Sequence, residues 1–328
     1  MPRANLERQV TVITGASGGI GRATAHAFAT RGAIVVLAAR RAEALEEVAR
    51  ECREIGAADV LAVPLDVADA DAAAALAHDT VSRFGRIDVW VNNAAVVLYG
   101  RAEEVPDNVW RRVIETNLFG AYHGARAALP WFREQGSGVL VNVSSILGKA
   151  GSPFQSAYVA SKHAVRALSD SVRQEVVDAD DIHVCTVLPG PVDTPLFRSG
   201  ANYTGWRVVP PGAPVDPARV AAGIIRCATQ PTREVVVGAS TRAGLLVTRI
   251  APALAESVAA RAISKVHFDK VPSPRTEGNV FAPLEEAGRV DDRWRDEKVR
   301  RSKGALLTVA GLTGAAIAVA LTGRPIRQ

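Results

Sequence analysis

Cysteine and histidine are scarce in this chain of 328 residues, and their placement excludes two kinds of site. The three cysteines, Cys52, Cys185 and Cys227, are far apart and form no C-x-x-C pair. An odd number of isolated cysteines indicates reduced thiols in a reducing compartment rather than a disulfide framework. The six histidines show no H-E-x-x-H or other ligand spacing, so we expect no metal ion.

Aromatic residues are also few, at 5% of the chain, and this bears on the meaning of its charge. The formal net charge is +5, which is compatible with binding to nucleic acid. The basic residues are not interleaved with aromatic ones, however, and no nucleic-acid motif is present. We therefore interpret the charge as solvated surface and expect no nucleic-acid partner. Residues 1–9 are polar, so no N-terminal secretory signal is expected.

A glycine-rich turn lies near the N-terminus, between an apolar strand and an alanine-rich helix. Residues 14–21 read T-G-A-S-G-G-I-G. Gly15 permits a tight turn, Gly19 allows the backbone to approach a pyrophosphate, and Gly21 allows the helix to pack closely on the strand. The start of the helix then offers free N–H groups and a positive dipole end to phosphate. The turn predicts a dinucleotide site that includes Ser17 and Ile20.

The end of the second predicted strand indicates which dinucleotide binds. An acidic residue there would accept a hydrogen bond from the ribose 2′-OH and select NAD. Instead the chain has Arg40 and Arg41, and arginine suits a 2′-phosphate through forked, charge-assisted hydrogen bonds. This favours NADP, with NAD as the weaker expectation. The alternative is that both arginines begin the solvated helix predicted over 42–55.

Strands and helices alternate from residue 10 to residue 237. This alternation predicts an α/β fold, a doubly wound parallel sheet with helices on both faces. Polar or glycine-containing segments follow the strands, and ligands of such sheets bind beyond the carboxyl ends of the strands. A single long helix is predicted over 109–129, and a further helix over 157–177.

The second of these helices carries Tyr158 and Lys162, with Ser145 at the end of the preceding strand. Two residues four apart lie on one helix face. A lysine cation in that position favours the phenolate, so we expect it to lower the tyrosine pKa. A tyrosine tuned in this way can exchange a proton near neutral pH. Ser144, which precedes Ser145, is expected to be an ordinary hydrogen-bonding residue.

These motifs together resemble the short-chain dehydrogenase/reductase family, of the group with T-G-x-x-x-G-x-G and Y-x-x-x-K, over roughly residues 7–240. The resemblance implies a Rossmann-type fold and a catalytic set, which in this chain is Asn117, Ser145, Tyr158 and Lys162. It also implies the following cofactor-binding residues besides the glycine turn and the arginines: Asp66, Val67, Asn93, Ala94, Tyr158, Lys162, Pro189, Gly190, Val192 and Thr194. One departure is Ala95, where the family commonly has glycine.

The resemblance also implies roles for the catalytic set in a hydride transfer between a secondary alcohol and a ketone or aldehyde. Tyr158 acts as general acid or base, and Ser145 holds the substrate oxygen. Lys162 binds the nicotinamide ribose, and Asn117 anchors a water that links Lys162 to solvent. Family members are commonly dimers or tetramers, so a homo-oligomer is expected. The alternative is a catalytically silent NADP-binding scaffold of the same fold.

The chain extends beyond such a domain. We expect the dehydrogenase domain over 1–240, with a mobile lid at about 193–217 whose apolar residues indicate a lipophilic substrate. Residues 241–303 are predicted to form a helical extension and, over 272–288, a poorly structured linker.

The run over 304–323 has no charged side chain and basic flanks. Its length suits a transmembrane helix that would anchor a cytoplasmic catalytic domain to a membrane. The alternative is an alanine-rich helix that packs on protein.

Overall fold

Seven parallel strands form the central sheet of the computed structural model, which describes residues 5–238, 260–261, 263, 266–284 and 288–296. With strands numbered along the chain, the sheet order is β10-β7-β6-β4-β1-β2-β3. The strands are β1 (Val10–Thr14), β2 (Ile34–Ala39), β3 (Asp59–Pro64), β4 (Val89–Asn92), β6 (Gly138–Val143), β7 (Ile182–Pro189) and β10 (Glu234–Val237). The predicted doubly wound α/β fold is confirmed.

Eight α-helices lie wholly within the described residues. They are α1 (Gly19–Ala29), α2 (Ala42–Glu54), α3 (Ala70–Phe84), α4 (Asp107–Ile114), α5 (Gly120–Gln135), α6 (Ser156–Glu175), α7 (Leu196–Ser199) and α8 (Pro217–Thr229). The long helix predicted over 109–129 is instead α4 and α5 joined by one π-helical turn, Glu115–Phe119. Such turns insert an extra residue into a helix and are frequent at functional sites.

Apolar residues cover both faces of the sheet. The inner strands β1 and β2 are buried along their whole length, as expected for parallel strands with helices on both sides. Phe28, Leu45 and Ile224 belong to the cluster on one face, and Trp90 and Phe132 belong to the cluster on the other. The sheet therefore has no solvated face, and ligands can reach it only at its edge.

Two small sheets lie beyond the carboxyl ends of the central strands. β5 (Leu98–Tyr99) pairs in parallel with β8 (Ala201–Asn202), and β9 (Trp206–Val208) pairs antiparallel with β11 (Phe268–Pro272). The predicted lid, 193–217, therefore contains α7, β8 and β9. The linker predicted over 272–288 stays a prediction, although Val280 in its described part is fully buried.

The proposed anchor at 304–323 lies outside the described residues. Across the ranges that are described, no helix combines the length and the apolar character that crossing a membrane requires.

A buried polar network joins the centre of the sheet to its helices. Trp90 Nε1 donates to Asn92 Oδ1 at 2.8 Å, Asn92 Nδ2 donates to Asn142 Oδ1 at 2.8 Å, and Asn142 Nδ2 donates to Ser169 Oγ at 2.8 Å. Gly124 of α5 passes directly over this network, and a Cβ there would lie 2.0 Å from Asn92 Oδ1.

We expect Gly124→Ala to lower the free energy of unfolding by about 1–3 kcal/mol, because the added methyl group overpacks the network. Chemical denaturation of the full chain measures this change. Gly151→Ala is the matched control, since a Cβ at Gly151 would meet nothing within 4 Å. Equal stability of the two variants would show that the network can move aside.

Candidate active site

The glycine turn between β1 and α1 is shaped to receive a phosphate group. Gly15 and Gly19 have φ values of +68° and +52°, which strain residues with a side chain. A Cβ on Gly15 would lie 2.8 Å from the Ala94 Cα, so the turn passes close to the end of β4. Gly18, the N-cap of α1, supplies no side-chain hydrogen bond to the first turn. The helix start, with Ser17 and Ile20 in the turn, therefore fits an external anion.

Thr14 ties this turn to the end of β4. Its hydroxyl accepts from the backbone amides of Asn93, at 3.0 Å, and Ala94, at 3.1 Å, and donates to the Val91 carbonyl at 3.2 Å. Asn93 Nδ2 returns a hydrogen bond to the Thr14 carbonyl at 2.9 Å. Sequence reasoning did not single out Thr14. Its position as the last residue of a buried strand was the available signal.

The two arginines after β2 both lie beside the C-terminal part of the chain. Arg40 donates to the main-chain carbonyls of Asn279, Val280 and Phe281 at 2.6, 3.3 and 3.1 Å. Burial lowers the pKa of Arg40 from its ordinary value. The Arg41 guanidinium lies close to Gly288, whose Cβ would be 3.1 Å from Arg41 Nη2. The sequence did not indicate the contact of Arg40 with Val280, because these residues are 240 positions apart.

Asp66 and Val67 follow β3, as expected for residues around an adenine ring. Asp66 forms an ion pair with Arg112 and accepts from the Ala68 amide at 3.0 Å. The Val67 carbonyl accepts from His123 Nδ1 at 3.0 Å. The side chain of Val67 packs so closely on Gly120 that a Cβ there would lie 2.6 Å from Val67 Cγ2. Contacts with α4 and α5 therefore hold both residues in place.

Ser145, Tyr158 and Lys162 meet beyond the end of β6. Tyr158 and Lys162 lie one turn apart on α6, and Lys162 Nζ is 5.5 Å from the centre of the Tyr158 ring. The Ser145 hydroxyl lies close enough to the Tyr158 phenol to lower its pKa, and it accepts from the Leu147 amide at 3.1 Å. Lys162 Nζ donates to the Val143 carbonyl at 2.9 Å, and Ser144 Oγ donates to the Lys162 carbonyl at 2.8 Å. Ser144 is thus engaged with the backbone.

Burial dominates the protonation of this cluster. It raises the pKa of Tyr158 to about 12, against the opposing effect of the Ser145 hydrogen bond, and it lowers the pKa of Lys162 to about 8. Both shifts favour the neutral form of a group taken out of water. For the protein without a bound cofactor, the expectation that Lys162 lowers the Tyr158 pKa is therefore wrong. Burial of the phenol raises this pKa, and the opposing effect comes from Ser145 rather than from the lysine.

Asn117 lies in the π-helical turn and is almost fully buried. Its Oδ1 accepts from the Val96 amide at 2.8 Å, and its Nδ2 donates to the Val96 carbonyl at 2.9 Å and to Ser161 Oγ at 3.0 Å. Ser161 Oγ donates in turn to the Tyr158 carbonyl at 2.7 Å. Asn117 therefore fixes the start of α6 to the segment after β4. The water expected beside it stays a prediction.

The segment after β7 closes the site from the other side. Pro189 ends β7, and the Gly190 amide donates to the Val237 carbonyl at 3.3 Å. Val192 pairs with Val215. The methyl group of Thr194 lies against the glycine turn, since a Cβ on Gly19 would be 3.3 Å from it. The segment and the turn together flank the position where the resemblance places the nicotinamide half of a cofactor.

Asp193, within this segment, is a residue that the sequence did not single out. It is fully buried and accepts hydrogen bonds from the amides of Asp292, Trp294 and Arg295, at 3.3, 3.0 and 3.1 Å. Arg295 Nε adds an ion pair at 3.1 Å. We call residues 288–296 the clasp. Its Arg289 carbonyl also accepts from the Gly19 amide at 2.9 Å, so the clasp joins the nicotinamide-side segment to the glycine turn.

Comparison with known proteins agrees with this geometry. A family model described as short chain dehydrogenase matches residues 9–202. The chain belongs to the short-chain dehydrogenase family.

Known members of the family resemble this short-chain dehydrogenase over most of its length. An uncharacterized oxidoreductase of Bacillus subtilis, YxnA, is 34% identical over 84% of this chain and 78% of its own. The 11-beta-hydroxysteroid dehydrogenase 1A of Arabidopsis thaliana is 39% identical over 61% of this chain and 57% of its own. The solved alcohol dehydrogenase of Thermococcus sibiricus, complexed with 5-hydroxy-NADP, is 31% identical. It superposes with a TM-score of 0.60 over 70% of this chain and 95% of its own.

Apolar and aromatic residues pack around Tyr158. Tyr158 packs in one buried cluster with Val97, Tyr99 and Val208, against which Phe197 and Phe268 also lie. The ring of His267 stands edge-on to Tyr99, with 5.3 Å between ring centres. Residues 267 and 268 come from the C-terminal extension of this short-chain dehydrogenase, so that extension contributes to the wall.

Metal-binding side chains do not cluster in the described ranges, where no group of three or more His, Cys, Asp or Glu residues is placed to hold an ion. The three cysteines are free and buried.

We expect Asp193→Asn to lower the free energy of unfolding by about 1.5–3 kcal/mol for each hydrogen bond to the charged carboxylate that is lost. Chemical denaturation of the full chain gives the value. The control is Asp291→Asn, which removes an exposed carboxylate 3.7 Å from the same Arg295 and should cost less than about 0.5 kcal/mol. Similar losses for both variants would mean that the clasp depends on general charge rather than on Asp193.

Lys162 should make stability depend on pH. Its pKa is about 8 when folded and 10.5 ordinarily, so between these values the unfolded chain binds more protons and stability rises with pH. That contribution is complete above pH 10.5 and is lost as the pH falls through 8. As the pH rises from 8 to 10.5, we expect the unfolding free energy of the wild type to increase relative to that of Lys162→Met. A difference that does not change with pH would contradict the shift.

Proposed function

We propose that this short-chain dehydrogenase is an NADP(H)-dependent oxidoreductase that interconverts a secondary alcohol and a ketone or aldehyde. The observation that carries the proposal is the meeting of Ser145, Tyr158 and Lys162 in one buried cluster beyond β6. A hydroxyl donor, a phenol and a buried amine are the groups that a carbonyl oxygen needs when it gains negative charge.

The cofactor assignment rests on three observations. The turn from Gly15 to Gly21 has no side-chain cap at the helix start, where the Gly19 amide donates to the Arg289 carbonyl. No carboxylate ends β2, and Arg40 and Arg41 stand there instead. The Thermococcus sibiricus relative was solved with 5-hydroxy-NADP. When bound, NADP(H) supplies or accepts a hydride, and its oxidised ring adds positive charge that favours the Tyr158 phenolate.

In reduction, Tyr158 donates its proton to the carbonyl oxygen, and in oxidation it removes the proton of the alcohol. Ser145 donates a hydrogen bond to the same oxygen and fixes its position. Burial raises the pKa of Tyr158, which makes it a weak acid until positive charge is near. The Lys162 side chain, one turn away, holds the nicotinamide ribose and replenishes the proton.

The wall around Tyr158 favours an apolar substrate. The side chains of Val97, Tyr99, Phe197 and Val208 offer carbon surface next to the phenol, and burying apolar area is worth about 25 cal/mol per Å². The Arabidopsis relative, named a hydroxysteroid dehydrogenase, is compatible with this class. We therefore propose a lipophilic alcohol or ketone as substrate. The homo-oligomer and the membrane-attached tail at 304–323 remain proposals from the sequence.

The decisive experiment follows NADPH absorbance with a panel of apolar ketones. Tyr158→Phe should reduce turnover by about 10²–10⁴-fold, because it removes the general acid, while leaving NADPH binding in place. Tyr122→Phe, at an exposed tyrosine, is the matched control and should retain full turnover. A wild-type chain that binds NADPH but reduces no carbonyl compound would favour the catalytically silent scaffold.

A further inference from the structure

A segment of the C-terminal extension lies on the arginine that would read the cofactor. We call residues 276–284 the strap. The Arg40 guanidinium donates to three successive strap carbonyls, those of Asn279, Val280 and Phe281, at 2.6, 3.3 and 3.1 Å. The strap therefore surrounds the cation at the end of β2 with the negative ends of carbonyl dipoles.

The strap is seated firmly at its other contacts. Thr276 and Asn202 exchange two backbone hydrogen bonds, at 2.8 and 3.0 Å, and the Asn279 amide donates to the Ser199 carbonyl at 2.8 Å. Val280 is fully buried in a cluster with Val96 and Leu98. The contact with Arg40 is thus part of a packed interface between the strap, α7 and β8.

A phosphate group and the strap cannot both use the same donors of Arg40. Two Nη atoms are engaged with carbonyl oxygens, and a phosphate dianion placed on them would face those oxygens at close range. Both partners of an arginine–phosphate pair are charged, whereas a carbonyl group is neutral, so the phosphate binds Arg40 more strongly than the carbonyls do. The cost of removing the carbonyls is then subtracted from the affinity for the phosphorylated cofactor.

We propose that the strap competes with the 2′-phosphate of NADP(H) for Arg40 and so limits the preference of this protein for NADP over NAD. The proposal rests on the proposed use of NADP(H). The strap lifts from Arg40 when the 2′-phosphate binds. It is unaffected by NAD(H), which has a hydroxyl group at that position. The Arg289 carbonyl at Gly19 lies by the pyrophosphate turn, which both cofactors share, and so does not contribute to the preference.

Gly278 provides a way to unseat the strap. Its φ is +53°, and a Cβ there would lie 2.3 Å from the Ser199 carbonyl oxygen. Gly278→Ala should therefore displace the strap, free Arg40, and tighten NADPH binding by about tenfold, which corresponds to one lost competing hydrogen bond. NADH binding should change by less than about twofold on the same reasoning. Fluorescence titration of the full chain with each cofactor measures both.

Two further variants isolate the mechanism. Gly85→Ala has a similarly positive φ, +76°, at the end of α3, but its Cβ would meet nothing within 4 Å, so it should leave the ratio of NADPH to NADH affinity unchanged. In an Arg40→Ala background, Gly278→Ala should no longer tighten NADPH. Tightening that persists without Arg40, or weaker NADPH binding in Gly278→Ala, would overturn the proposal.

Hydrogen exchange of the unmodified chain gives a test that needs no variant. The amides of Thr276 and Asn279 are bonded to Asn202 and Ser199, and they should exchange faster with saturating NADPH than with saturating NADH. Slower exchange with NADPH would show that the strap closes over the cofactor, contrary to the proposal. Failure of the strap proposal alone would leave ketone reduction by NADPH intact. Failure of the proposed function would instead abolish that reduction in the wild type.

Discussion

Parallel pairing of β4 with β1 on one side and β6 on the other is the constraint on which the site depends. It brings the carboxyl ends of three strands to one edge, where Thr14 ends β1 and Asn93 and Ser145 come after β4 and β6. Hydrogen bonds between Thr14 and the residues after β4 then lock the glycine turn to its neighbour. A slip of register between these strands would separate the phosphate-binding turn from the proton-transfer cluster.

The clasp and the strap, both in the C-terminal part of the chain, also contact this edge of the sheet. Asp193 binds the clasp, and Arg40 binds the strap, so one C-terminal region contacts both ends of the proposed cofactor site. These contacts satisfy buried charges that would otherwise be costly to remove from water. They also make the extension part of the site, which distinguishes this chain from a short-chain dehydrogenase that ends near the last sheet strand.

Burial also governs the chemistry at the centre. It moves the pKa values of Tyr158 and Lys162 apart, to about 12 and about 8 from ordinary values of 10.0 and 10.5, and both residues are left in their neutral forms more readily than in water. Reactivity in such a site depends on charge that arrives with a ligand. Under the proposed function, this arrangement keeps the Tyr158 phenol inactive until the cofactor is in place.

The sequence by itself determined the strand and helix alternation, the glycine turn and the Ser145, Tyr158 and Lys162 set, because these depend on local pattern and fixed spacing. It also predicted that the alternation ends at residue 237, which is where the last sheet strand, Glu234–Val237, ends. It could not determine the π-helical turn at Asn117, the binding of the clasp by Asp193, the packing of the strap on α7 and β8, or the direction of the Tyr158 pKa shift. Each of these depends on desolvation and on contacts between residues distant in the chain, such as Arg40 with Asn279, and only the tertiary structure brings those groups together.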